Sequence, residues 1–333
     1  MKKILGPFIL LIMALSLSAN ALALMPGPPP PPPPPPPNPL CPVSEPIPVS
    51  TCGTIIDKPG YYVLQNDICL PAPGPVLQCL PPTDFGVIIK SDCVTLDLNG
   101  HTIGSPVKNL GSGVAVIGGK YVEVKNGVVK DYEIGIHLIP DESQGEPKHP
   151  EGIVVAKVRV ENADKGIYGN WYGPLKDFTF EGNAFVNNIL AALFLFNATN
   201  GVIRDNDFDR NEDNQIYLSN SSGIQIEGNR FTAALDRGIF LKNSTDIQVL
   251  ENAFCGNRLG MVVQGTTKLR VTGNNFYKGE NAQARDNTDG NVWDGNFWSD
   301  HRRCPNPYRP ERIGYVRDTA PLCTPTPAAP ACN

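Results

Sequence analysis

Methionine, histidine and tryptophan are scarce in this 333-residue chain, at 4, 4 and 3 residues, and only 18% of its residues are charged. A soft-metal centre needs His, Cys or Met gathered in space. The histidines, His101, His137, His149 and His301, are scattered along the sequence. Asp300-His301 with Cys304 is the nearest approach to a ligand set, and a disulfide-bonded chain end accounts for it more simply, so no metal site is assigned. Basic runs are absent too. The net charge of −5 becomes −7 once Lys2 and Lys3 are removed with a leader, which argues against nucleic acid as a partner. The repeat region shows no long helical rhythm, and beyond the N-terminus no apolar run is long enough to give the mature protein a transmembrane span.

The first residues supply the missing apolar run. Lys2-Lys3, the stretch Ile4 to about Leu17 and the small residues near Ala19 to Ala23 read as a secretory signal peptide over residues 1–23, of bacterial type. Export to the periplasm, the extracellular space or the cell surface is the expectation. Residues 24–40 follow as a polyproline linker, in which Pro28 to Pro37 form a stiff spacer of roughly 30 Å.

What is abundant is a period. Asn183, Asn206, Asn229, Asn252, Asn274 and Asn296 recur at steps of 23, 23, 23, 22 and 22, and Phe185, Phe208, Phe231, Phe254, Phe276 and Trp298 follow two residues later. Between them runs the two-residue alternation of strands, as in Ile239-Phe240-Leu241-Lys242. Short strands repeating at this interval cannot each bury an apolar face alone and must stack. The fold is therefore all-β, a parallel β-helix solenoid over residues 85–300, with successive turns about 4.8 Å apart. The asparagines form one ladder, expected to hold a left-handed turn and to bond amide to amide, and the rings form an internal stack. A second corner carries Asn197, Asn220, Asn243, Gly265 and Asn287; three of these read as glycosylation acceptors, but the repeat explains them without sugar.

The nine cysteines gather at the ends, with Cys255 alone inside the regular coils. In an exported solenoid this predicts disulfide-stapled end caps, an N-terminal one at 41–84 and a C-terminal one at 301–333 that closes in a disordered tail from Thr324. Connectivity is open; Cys69 with Cys79 and Cys304 with Cys323 are the expected pairs.

Alignment of the strands places His137, Tyr168, Phe194, Tyr217 and Phe240 in one register, flanked by apolar or small inward residues, so the five rings point outward. Such a stripe suits a sugar chain lying across ring faces, with polar groups such as Lys242 fixing its orientation. Two insertions begin after the first two strands, Pro140 to Glu151 and Asn170 to Asp177; the second carries Trp171 and Tyr172, and together they wall one end. A polysaccharide or glycan is the expected partner. If the protein is an enzyme, lyase or epimerase chemistry fits better than hydrolysis, with His137 and Tyr168 as base and acid and Lys148, His149, Lys165 or Lys176 nearby. A hydrolase needs a carboxylate pair across a groove. The acidic corner Asp205, Asp207, Asp209, Glu212 and Asp213 also offers oxygen ligands for calcium, but it matches an ordinary solvated face, and no cofactor is assigned.

The stretches Gly60-Tyr-Tyr-Val-Leu-Gln-Asn-Asp-Ile68, Val94-Thr-Leu-Asp-Leu-Asn-Gly-His-Thr-Ile103, the Asn-x-Phe coils, Val292-Trp-Asp-Gly-Asn-Phe-Trp-Ser-Asp300 and Asp318-Thr-Ala-Pro-Leu322 resemble exported right-handed parallel β-helix repeat proteins. The closing segment is similar to the NosD-type periplasmic β-helix domain. That resemblance implies a right-handed coil and an accessory role in copper-site maturation or transport. The repeats themselves record geometry, and lyases, epimerases, hydrolases, adhesins and accessory proteins share them, so an adhesion module without catalysis fits the same pattern.

Overall fold

The computed structural model of the chain describes residues 41, 44–70, 84–143, 145–169, 172–277, 279, 282–301 and 317–332. The signal peptide and polyproline linker lie outside these residues. Every strand pairing among the described strands is parallel, and residues one period apart are direct partners, as in Phe185 with Phe208 and Phe208 with Phe231. The result is a parallel β-solenoid of about nine turns, with no helix among the described residues. Ten strands form one sheet: Thr54–Ile56, Phe85–Ile89, Ser112–Ile117, Ile134–Ile139, Lys165–Gly169, Ala191–Phe196, Asn214–Ser219, Arg237–Lys242, Leu259–Gln264 and Ala282–Asp286. The other eighteen form the remaining sheet. Stacked strands already begin at Ile47–Val49, inside the segment assigned to the N-terminal cap.

The core lies between the sheets, because the inward residue of each two-residue alternation is apolar. Phe185, Phe208, Phe231, Phe254, Phe276 and Trp298 are buried to 1% exposure or less, and their centroids step by 5.1, 4.9, 4.9, 4.5 and 4.4 Å in stacked geometry. Offset stacking of this kind adds about 0.5–1.5 kcal/mol per pair to burial of the rings.

The asparagine ladder exists, but its cause differs in part from the expectation. None of its six members has a left-handed backbone; that conformation falls one residue earlier, at Gly182, Asp205, Gly228, Glu251, Gly273 and Gly295. What selects asparagine is its hydrogen bonding. The Oδ1 of Asn229 accepts from the backbone N–H and the amide of Asn206, while its own amide donates to the Ile203 carbonyl and to Oδ1 of Asn252. Each side chain thus satisfies backbone groups that the turn would otherwise strand in the interior. At the last coil Asp318 takes the place of an asparagine, accepting from the backbone and amide of Asn296 and from the Trp298 indole N–H. The second corner follows the conformational rule: Asn197, Asn220, Asn243 and Gly265 have φ of 52, 52, 48 and 63°, whereas Asn287 does not share it.

Disulfides join Cys41 to Cys93, Cys52 to Cys69 and Cys255 to Cys332. The pairing of Cys69 with Cys79 is thereby overturned, because Cys69 is bonded to Cys52. Cys323 is also disulfide-bonded, and its expected partner, Cys304, lies outside the described residues. In place of a disordered tail, the segment from Thr324 is docked on the coils. Thr326 exchanges two hydrogen bonds with the Asn275 amide at 2.8 and 3.0 Å, and Cys255 anchors the chain six residues later through Cys332. The lone cysteine of the regular coils is the tether for this tail.

Candidate functional site

The outward face of the ten-stranded sheet carries the aligned rings. Register pairs His137 with Tyr168, Tyr168 with Phe194, Phe194 with Tyr217 and Tyr217 with Phe240, and centroids step by 5.1, 5.9, 4.7 and 5.3 Å. Their strand neighbours Ile136, Leu138, Ile216, Leu218, Ile239 and Leu241 are fully buried, whereas all five rings remain half-buried. The file ends on Ala115 at one side and Val262 at the other, where the column loses its rings. Phe196, two residues past Phe194, joins from the side with centroids 5.0 Å from Phe194 and 5.6 Å from Tyr217. Reading only one outward column of the strand hides it; the same alternation extended by two residues reveals it.

Cations flank the file. Lys165 Nζ stands 5.5 Å from the Tyr168 ring centroid and pairs with Glu133, while the Arg237 guanidinium lies 4.7 Å over Phe240. Arg237 also meets Asp236 at 2.7 Å and Asp213 at 3.6 Å, and burial pushes the Asp213 carboxyl above its ordinary value despite that arginine. Arg237 opens its strand at a position held by Asn214 and Leu259 in the adjoining turns, with no motif to mark it, so sequence reasoning passes over it. Lys242 is exposed on the same face, two residues from Phe240, beside Ser219 and Gln264 of the adjacent turns.

His137 is the most perturbed group of the file. Its Nδ1 lies 3.3 Å from Ser112 Oγ, its Nε2 is buried without a hydrogen-bond partner, and burial, aided by Lys165, lowers its pKa to about 4. At neutral pH the imidazole is uncharged and retains a lone pair for a proton.

The first insertion follows Ile134–Ile139 directly; of the second, residues 170 and 171 lie outside the described residues, and Leu175 to Asp177 belong instead to the strand Leu175–Glu181. The first folds back on itself, with the backbones of Asp141 and Lys148 exchanging bonds of 2.8 and 2.9 Å, and is tied down by Lys120 to Glu151 at 2.7 Å and Lys148 to Asp92 at 3.7 Å. His149 packs on the second insertion so tightly that a Cβ at Gly173 would stand 2.2 Å from its Nδ1. Lys148 and His149 are therefore committed to the wall. Lys176 is exposed on its outer side, and Tyr172 is 79% exposed. Trp171 lies outside the described residues.

The acidic corner does not converge. Asp207 is held by Arg230 at 2.6 Å, Asp209 by Arg210 at 2.9 Å and Asp213 by Arg237. Among the described residues no group of three or more His, Cys, Asp and Glu side chains is placed to hold a metal ion, and His101 pairs with Asp67 at 3.4 Å.

Comparison with solved structures agrees with the architecture. The periplasmic alginate epimerase AlgG is similar at 15% identity and a TM-score of 0.52, over 73% of this chain and 69% of that one. Two further β-helix structures align less closely. PfbA, a surface adhesin of Streptococcus pneumoniae, has 12% identity and a TM-score of 0.41, over 75% of this chain and 85% of that one. The Azotobacter vinelandii mannuronan C-5 epimerase AlgE4 A-module has 11% identity and a TM-score of 0.37, over 77% of this chain and 81% of that one. These likenesses concern the fold alone. No curated protein matches the sequence. The family model described as periplasmic copper-binding protein (NosD) matches residues 94–302, well over half of the chain and all of its regular coils. With the stacked coils and ladders it matches, the chain belongs to the NosD family.

Proposed function

We propose that this chain is an exported glycan-binding β-helix whose contact surface is the file from His137 to Phe240. The observation that carries the reading is the register itself: five half-buried rings at one outward position of consecutive coils, on a face whose other strand positions are satisfied by the core. Pyranose rings present apolar C–H faces that pack on aromatic faces, and their hydroxyls reach polar groups at the margins. The wall formed by the two insertions closes one end, and Lys242 and Arg237 border the other. Disulfides among the described cysteines accord with the periplasmic location of the family.

A titration of the mature protein with neutral and acidic oligosaccharides, followed by tyrosine and tryptophan emission, tests the reading. A saturable change is expected; no response on any glycan removes the platform.

Catalysis of lyase or epimerase type is the second reading, favoured by the unpartnered Nε2 and lowered pKa of His137. In it His137 takes the proton from the sugar carbon beside a carboxylate, and Tyr168, the next ring in the file, returns one. Copper binding, which the family's description implies, fits these residues poorly. Of the described histidines, His137 stands half-buried in the ring file, His149 is wedged in the wall, His101 faces Asp67 and His301 follows Trp298, bonded through its backbone N–H to the Trp298 carbonyl, while Cys41, Cys52, Cys69, Cys93, Cys255, Cys323 and Cys332 are all disulfide-bonded. Soft donors are not brought together there.

A further inference from the structure

Where the ring file ends, the sheet surface opens into a cavity of about 150 Å³ whose lining includes Arg237, Val262, Gln264, Arg285 and Asn287. Val262 and Arg285 occupy the next two positions of the column that carries Phe240, so the cavity is the continuation of the ring surface. The two arginines differ. Arg237 is already engaged by Asp236, Asp213 and the side-chain Oδ1 of Asn214 and lies over Phe240. Arg285 forms no ion pair among the described residues, and its Nε is buried without a hydrogen-bond partner. The carboxylate nearest to it in sequence cannot serve: Asp286 is 1% exposed and turns inward, accepting from Thr288 N–H, the Asn291 amide and the Trp293 indole. Lys242 adds a further exposed cation beside Gln264. A buried guanidinium N–H without an acceptor is costly unless a ligand supplies one, and the planar fork of the group matches a carboxylate or sulfate.

The geometry points to a subsite for an anionic substituent of the glycan, a uronate carboxylate or a sulfate ester, received by Arg285 while the sugar bearing it packs on Phe240. The inference rests on the platform reading and names its ligand class as acidic. Gln264 and Asn287 add neutral amides to the lining, and Val262 adds an apolar side chain.

Calorimetric titration with three oligosaccharides of equal length, one of uronates, one sulfated and one neutral, tests it on wild type, Arg285→Ala, Arg285→Lys and Tyr217→Ala. Arg285→Ala is expected to weaken a charged arm by about tenfold or more while leaving the neutral arm unchanged, Arg285→Lys to recover part of the loss, and Tyr217→Ala to weaken every arm. The charged arm that binds tighter distinguishes carboxylate from sulfate. Equal affinity for charged and neutral arms, with no effect of Arg285→Ala, overturns the subsite and leaves the platform standing. Loss of Arg285 sensitivity together with indifference to Tyr217→Ala, or no binding in any arm, overturns both.

Discussion

At the scale of single residues, His137 shows how far position in a solenoid can move a side chain's chemistry. Its file neighbours and the coils beneath withdraw it from water, so that its pKa drops from 6.5 to about 4. Between those values the unfolded chain takes up a proton that the folded chain refuses, so stability is whole above pH 6.5 and falls as the pH descends towards 4. Replacement by Phe, the residue that fills the same column at Phe194 and Phe240, removes this titration. Between pH 7 and pH 4 wild type is expected to lose roughly 1–3 kcal/mol more unfolding free energy than His137→Phe, the range allowing for the partial exposure of the ring. Superimposable pH profiles would contradict the burial. The same variant decides the catalytic reading: turnover on uronate polymers disappears while binding survives if His137 is the base, and persists if it is not. The outward direction of His137 was legible in the sequence because Gly135-Ile136-His137-Leu138 alternates; its lost hydration was not, since that depends on Ser112 and Lys165 from adjoining turns.

At the scale of the element, the repeat is held by side-chain ladders as much as by strand pairing. The Asn-x-Phe spacing displays two of them, and both are present. A third, formed by Asn188 and Asn211 and resumed at Asn257, escapes the eye because Ala234 interrupts it; Ala234 keeps its place by donating its backbone N–H to Asn257. A fourth runs through Ser221, Ser244 and Thr266, each hydroxyl accepting a backbone N–H from the turn before. Sequence reading found the position of the Asn ladder and misplaced the left-handed turn by one residue, because Gly182, Gly228, Gly273 and Gly295 alternate there with Asp205 and Glu251 and so form no single-letter column. The bonding account makes a contrast. Asn229→Ala strands the Asn206 backbone N–H and the Ile203 carbonyl in the interior, at about 1–3 kcal/mol for each group. Asn220→Gly, at an exposed left-handed corner that glycine tolerates, is expected to cost under about 1 kcal/mol. Chemical denaturation of the two variants checks this; equal midpoints would mean that the amide column contributes little.

At the scale of the whole molecule, periodicity gave access to the fold and, through it, to the one face that departs from the repeat's own needs. The end closures were less legible. Disulfide partners depend on which turns lie above one another, so Cys52 with Cys69 and Cys255 with Cys332 could not be read from spacing. The docked tail was hidden in a proline-rich segment of ordinary loop composition, held by Asn275 and a distant cysteine. Family membership accords with the architecture, while the function rests on the ring surface. The variant Tyr217→Ala with Phe240→Ala removes two adjoining rings from the outer face and leaves the internal phenylalanine stack intact. The most direct measurement is the glycan affinity of this double variant against wild type, with unchanged circular dichroism as the control. The account predicts a loss of about tenfold or more. Equal affinity in a correctly folded double variant would show that sugars, if bound, lie elsewhere.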